Sequence, residues 1–221
     1  MSDLQPTLNY HIRKGESTAA STPFIVLLHG YGSNKDDLFS FQSYLPKDHT
    51  IIALEAPHQL TENGFAWYAL HFDAADGKWS DFDQARESMQ TIRQHLQYCI
   101  ATYQLAPKKI TLLGFSQGAI LSWALKLNYP KEFHRIIALS GYVPQELIPS
   151  PLTTVRDICA FASHGTEDQV LPVHLARETV APLVENNPQL TYHEYPQGHT
   201  IGNDNFIALL AWIEATTNIK E

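Results

Sequence analysis

The chain has 221 residues, 44% hydrophobic and 17% charged. That is enough for one large or two small domains, and it excludes a disordered or collagen-like chain. Asp and Glu outnumber Lys and Arg by 23 to 15, giving a net charge of −8, and no basic run is longer than a pair such as Lys108–Lys109. Binding to nucleic acid or to an anionic membrane surface is therefore not expected.

Short apolar runs alternate with helical patterns along the chain. Leu8–Arg13 reads as an edge strand. Phe24–Leu28, bounded by Pro23 and by His29-Gly30, reads as a strand buried on both faces of a parallel sheet, as do Thr50–Ala53, Ile110–Leu113, Arg135–Leu139 and Asp157–Ala162. Leu190–Tyr195 is a more polar strand near the other edge. Between them, Phe82, Ala85, Met89, Ile92, Leu96, Cys99 and Tyr103 recur at alternating steps of three and four, one face of a helix with Asp81 as N-cap and Pro107 as the stop. Gln117–Asn128 and Asn203–Thr217 also read as helices. So does Val173–Asn187, which Pro182 should kink or split. Strand–helix alternation predicts an α/β fold, a mostly parallel central sheet with helices on both faces, in a single domain over residues 1–221. Function in such a sheet belongs at the carboxyl ends of its strands.

The other bounds are negative. Cys99 and Cys159 read as two buried thiols of a reducing compartment, with no disulfide framework. The N-terminus has no basic segment ahead of an apolar core. The longest apolar stretch, Phe206–Ile213, is eight residues, and a membrane span needs ~20. The expectation is a cytoplasmic protein with no membrane insertion. His-Glu-x-x-His, Cys-x-x-Cys, Gly-x-Gly-x-x-Gly and Walker patterns are all missing, so neither a metal nor a nucleotide cofactor is expected.

After Ile110–Leu113 comes Gly114-Phe115-Ser116-Gln117-Gly118, then a helix. Gly-x-Ser-x-Gly between a strand and a helix is a nucleophile elbow. Glycine two positions either side of the serine relieves clashes at a sharp turn, and the helix N-terminus favours developing negative charge. After Phe24–Leu28 comes His29-Gly30-Tyr31-Gly32-Ser33-Asn34, a glycine-rich loop able to bring bare backbone to that serine. The Tyr31 and Gln117 N–H groups are the candidate oxyanion donors. His29 precedes this loop and reads as its structural support rather than as a base.

A serine nucleophile needs a histidine base and a carboxylate to orient it, and the chain order on this fold is serine, acid, histidine. Ser163-His164-Gly165-Thr166-Glu167-Asp168-Gln169-Val170 follows the strand Asp157–Ala162 as a polar turn, and offers Asp168. Pro196-Gln197-Gly198-His199 follows the last strand and offers His199. Glu167 is the competing acid but should point the other way. His193 falls inside a strand, His174 at a helix start, and His164 in the acid turn as a local hydrogen bonder.

Together these motifs resemble the carboxylesterase/phospholipase branch of the α/β-hydrolase superfamily, which includes acyl-protein thioesterases. The resemblance runs over nearly the whole chain. It rests on Leu28-His-Gly-Tyr-Gly-Ser33, Phe65-Ala-Trp-Tyr68, Gly114-Phe-Ser-Gln-Gly118, Ala138-Leu-Ser-Gly-Tyr142, His164-Gly-Thr-Glu-Asp-Gln-Val170 and Gly198-His199. It implies an α/β-hydrolase fold without a large lid and a serine hydrolase of carboxylic esters of acyl substrates. The triad it implies is Ser116, Asp168 and His199. Tyr31 departs from the Leu usual among thioesterase members. Trp67, Tyr68, Leu70 and Phe72 form an apolar cluster beside the expected site; Trp67, with Tyr142 and Leu171, is a candidate acyl contact. A thioesterase or lysophospholipase is the alternative. A silent hydrolase fold used as a binding module is a second class, set against the presence of all three triad residues. The implied partner is a small acyl ester or thioester; a homodimer is admitted, but no patch for it can be read.

Overall fold

The computed structural model describes residues 5–16, 22–73, 77–149, 151–152 and 155–217. Five apolar runs form the interior of one sheet: β2 (Phe24–Leu28), β3 (Thr50–Leu54), β8 (Ile110–Phe115), β9 (Phe133–Leu139) and β10 (Cys159–Gly165). Their residues alternate between two cores. Val26, Leu28, Ile52, Leu112, Ile136 and Ala160 face one core, while Ile25, Leu27, Ile51, Leu113, Ile137 and Phe161 face the other. A strand buried on both faces has no polar side to show, hence the continuous apolar runs. The edges are the less buried β1 (Tyr10–Arg13) and β11 (Leu190–Tyr195). Sheet order is β1-β3-β2-β8-β9-β10-β11, parallel throughout except for β1 against β3.

The first core is covered by α2 (Phe82–Tyr103) and α3 (Gln117–Asn128), and by α4 (His174–Thr179) with α5 (Ala181–Val184). The second is covered by α1 (Lys35–Phe39) and α6 (Asn203–Thr217). Asp81 caps α2 as expected, its carboxylate accepting the Gln84 N–H at 3.0 Å. The helix ends before Pro107, because Gln104 takes the left-handed conformation (φ 54°). Pro182 does split its helix, falling in the first turn of α5. A correction concerns β10, which starts at Cys159 and runs to Gly165, so Ser163 and His164 belong to the strand and not to the turn.

Two hairpins lie outside the main sheet: β4 (His58–Gln59) with β5 (Phe65–Ala66), and β6 (Leu70–Asp73) with β7 (Gly77–Ser80). The Phe72 side chain falls outside the described residues. No large lid is present among the described residues, and none of their helices is long and apolar enough to cross a membrane. Cys99 and Cys159 are free and buried.

Candidate active site

Four loops meet at the carboxyl ends of β2, β8, β10 and β11. The elbow is the tightest. Ser116 follows β8 directly and adopts φ 54°, ψ −117°, a region that a non-glycine residue occupies only at a cost. Its glycines are there for contact. A Cβ on Gly114 would lie 2.2 Å from the Gly118 carbonyl oxygen, and one on Gly118 would lie 2.0 Å from that of Leu28. Helix α3 can therefore start hard against β2 only with hydrogen at both positions. Gly30 completes the packing, since a Cβ there would press on the Ser116 Cβ at 3.3 Å.

The structure brings Ser116, His199 and Asp168 into one hydrogen-bonded chain. Ser116 Oγ is 2.9 Å from His199 Nε2, and His199 Nδ1 is 2.6 Å from Asp168 Oδ2. The other carboxylate oxygen of Asp168 accepts the Val170 and Leu171 N–H groups at 2.9 and 2.8 Å. The carboxylate is wholly buried, whereas the imidazole keeps 16% exposure at the cavity. The acid and base loops are stitched together: Glu167 N–H donates to the Gln197 carbonyl at 3.1 Å and Thr166 N–H to that of Tyr195 at 2.8 Å. A Cβ on Gly165 would sit 2.2 Å from the Gln197 oxygen, so that seam also requires glycine. Glu167, the competing acid, is exposed. The His199 ring packs on Phe115, centroids 4.9 Å apart.

Gln117 opens α3, so its N–H has no partner within the helix. Among the described residues neither it nor the Tyr31 N–H donates to a backbone acceptor. The Gln117 side chain has a second use that the motif alone does not reveal. Its Oε1 accepts the Trp67 N–H and its Nε2 donates to the Tyr68 carbonyl, both at 2.8 Å. This buried amide substitutes for a strand partner and ties the 67–68 segment to the elbow. His29 is structural: Nδ1–H donates to the Gly30 carbonyl at 2.8 Å and Nε2 accepts the Ala56 N–H at 3.1 Å. Burial lowers its pKa, which suits that neutral role.

A cavity of about 450 Å³ opens beside Ser116 and His199, walled by Tyr31, Tyr68, Leu70, Ile120, Tyr142 and Leu171. Of the three candidate acyl contacts, Tyr142 and Leu171 line this cavity. Trp67 does not. It is fully buried, and its indole N–H donates to the His29 carbonyl at 2.9 Å. Its neighbour Tyr68 takes the cavity wall instead. Burial raises the pKa values of Tyr68 and Tyr142, so both phenols stay protonated. Among the described residues no cluster of three or more His, Cys, Asp or Glu could hold a metal ion.

A mostly parallel sheet with a strained serine at the elbow after its central strand, hydrogen-bonded to a histidine from the last loop, defines an α/β-hydrolase. A family model described as phospholipase/carboxylesterase matches residues 11–217, and the chain belongs to that family, a hydrolase of acyl esters. It is 27% identical over 205 residues to acyl-protein thioesterase 1 of Schizosaccharomyces pombe, covering 87% of this chain and 90% of that protein. It is 26% identical over 204 residues to carboxylesterase SOBER1 of Arabidopsis thaliana, covering 86% and 89%. Among solved structures, esterase PE8 superimposes with a TM-score of 0.80 at 26% identity, covering 94% of this chain and 98% of that one.

Proposed function

We propose that this single-domain enzyme cleaves carboxylic esters through an acyl-enzyme on Ser116. His199 Nε2 takes the Ser116 proton as Oγ attacks the acyl carbonyl. The oxyanion is held by the Tyr31 and Gln117 N–H groups at the positive end of α3. The C–O bond to the leaving group breaks, and His199 returns the proton to the departing alkoxide. Water then repeats the cycle on the acyl-enzyme and releases the acid. Asp168 keeps the proton on His199 Nδ1 and stabilises the imidazolium. The acyl group lies along Tyr142 and Leu171. The proposed chemistry uses only this chain's own groups and calls on no metal or cofactor. Two free buried thiols accord with a reducing, cytoplasmic setting.

The observation that supports this reading most directly is the 2.9 and 2.6 Å chain from Ser116 through His199 to Asp168. Hydrolysis of p-nitrophenyl esters from short to long acyl chains, beside matched thioesters, tests it. Ser116→Ala should lower kcat by roughly 10⁴-fold or more; unchanged turnover would sink the assignment. The resemblance to a fungal acyl-protein thioesterase favours a second reading, cleavage of acyl thioesters, which a preference for the thioester of each matched pair would establish.

A further inference from the structure

The buried titratable group closest to the reacting residues and unused by that chemistry is His164. It lies in β10, four residues before Asp168, and neither side chain has any exposure. Its Nε2–H donates to the Leu171 carbonyl at 2.7 Å and lies 3.5 Å from Asp168 Oδ2. Its Nδ1 is buried and has no partner among the described residues. The Leu171 peptide is thereby held at both ends, since its N–H donates to Asp168 Oδ1 at 2.8 Å. The Leu171 side chain is a wall of the cavity.

We propose that His164 is a positioning residue that, through its Nε2–H bond to the Leu171 carbonyl, clamps the Asp168–Leu171 turn and so sets both the aim of the carboxylate and the place of the acyl wall. It acts through Leu171 and Asp168 and touches no substrate. The proposal rests on the reading of Ser116, His199 and Asp168 given above. Each of the two carboxylates near His164 has other partners. Glu194, its register partner on β11, already accepts Arg177 of α4 at 2.8 and 2.6 Å and the Tyr192 hydroxyl at 3.0 Å. The remaining carboxylate is Asp168, whose Oδ2 is engaged by His199. His164 Nε2–H is thus left to the Leu171 carbonyl.

The test compares His164→Gln with His164→Asn in the full chain. Glutamine can place an N–H near the position of Nε2, whereas asparagine is too short to reach the Leu171 carbonyl. His164→Gln should keep kcat for a short p-nitrophenyl ester within a few-fold of wild type. His164→Asn should lose about 10²-fold. Its ascending limb of kcat/KM against pH should move to lower pH, because His199 has lost a well-placed carboxylate. The preferred acyl length should also change with Asn and not with Gln. Equal behaviour of the two variants, whether both intact or both impaired, overturns the proposal. A wild-type measurement stands even if a variant fails to fold. The ¹⁵N shifts of wild-type His164 should place the proton on Nε2, and an Nδ1–H tautomer overturns the proposal. Fluorophosphonate labelling of wild-type Ser116 separates the two claims: without it the triad reading fails, and with it only the role of His164 is at stake.

Discussion

Ser116 occupies backbone that glycine would enter freely. A non-glycine residue at such a φ costs roughly 1–3 kcal/mol, retained here because the turn aims Oγ at the cavity. Ser116→Gly should therefore be more stable than Ser116→Ala by about 1 kcal/mol, both variants being inactive. Urea denaturation of the two would show it, and equal midpoints would mean the elbow stores no strain. The residues of this turn are readable from sequence, because Gly-x-Ser-x-Gly is a steric statement: two glycines are needed where a Cβ would strike the Gly118 and Leu28 carbonyls. Asp168 and His199 are readable for a related reason, standing in polar turns just after a strand, one three residues past Gly165 and the other next to Gly198. Trp67 is not readable in this way. Its aromatic character suits an acyl wall and a core equally, and only its bond to the His29 carbonyl decides between them. The amide clamp of Gln117 is equally hidden, since side-chain partners some fifty residues away leave no pattern in the sequence.

At the scale of elements, the junction of β1 with α2 makes a prediction of its own. His95 lies on the buried face of α2 with no exposure. Its Nδ1 accepts the Leu8 N–H at 3.1 Å, and the Tyr10 ring stands edge-on, centroids 4.8 Å apart. Burial pushes its pKa down from 6.5 to about 4. A depressed histidine pKa means the unfolded chain binds the proton first. The stability contribution is thus fully present above pH 6.5 and is lost as pH falls from there toward 4. Unfolding free energy should drop by about 2 kcal/mol from this group between pH 7 and 5. Denaturant titrations of wild type and His95→Gln at both pH values would measure it; identical pH slopes would rule out His95 as the source. The helices themselves are largely legible, α3 and α6 to the residue, because periodicity and caps are local. The two hairpins over residues 58–80 are not, since strands of two to four residues are too short to carry a period.

At the scale of the whole molecule, five runs apolar on both faces can be buried only as inner strands of a covered sheet, and alternation with helices makes that sheet parallel. This much follows from the sequence, and with it the edge where chemistry must lie. Strand order does not, because it is set by which connections cross the sheet and not by any single segment. The order β3-β2-β8-β9-β10-β11 seats the Ser116 turn on a central strand, with the Tyr31 loop beside it and the Asp168 and His199 loops farther along the same edge. The account's central claim is that this edge holds an activated serine, and intact-protein mass spectrometry after treatment with a fluorophosphonate tests it most directly. The account predicts a single adduct, mapped to Ser116, that appears in step with loss of ester hydrolysis and is abolished in His199→Ala. No adduct on Ser116, with ester hydrolysis persisting in Ser116→Ala, would contradict it.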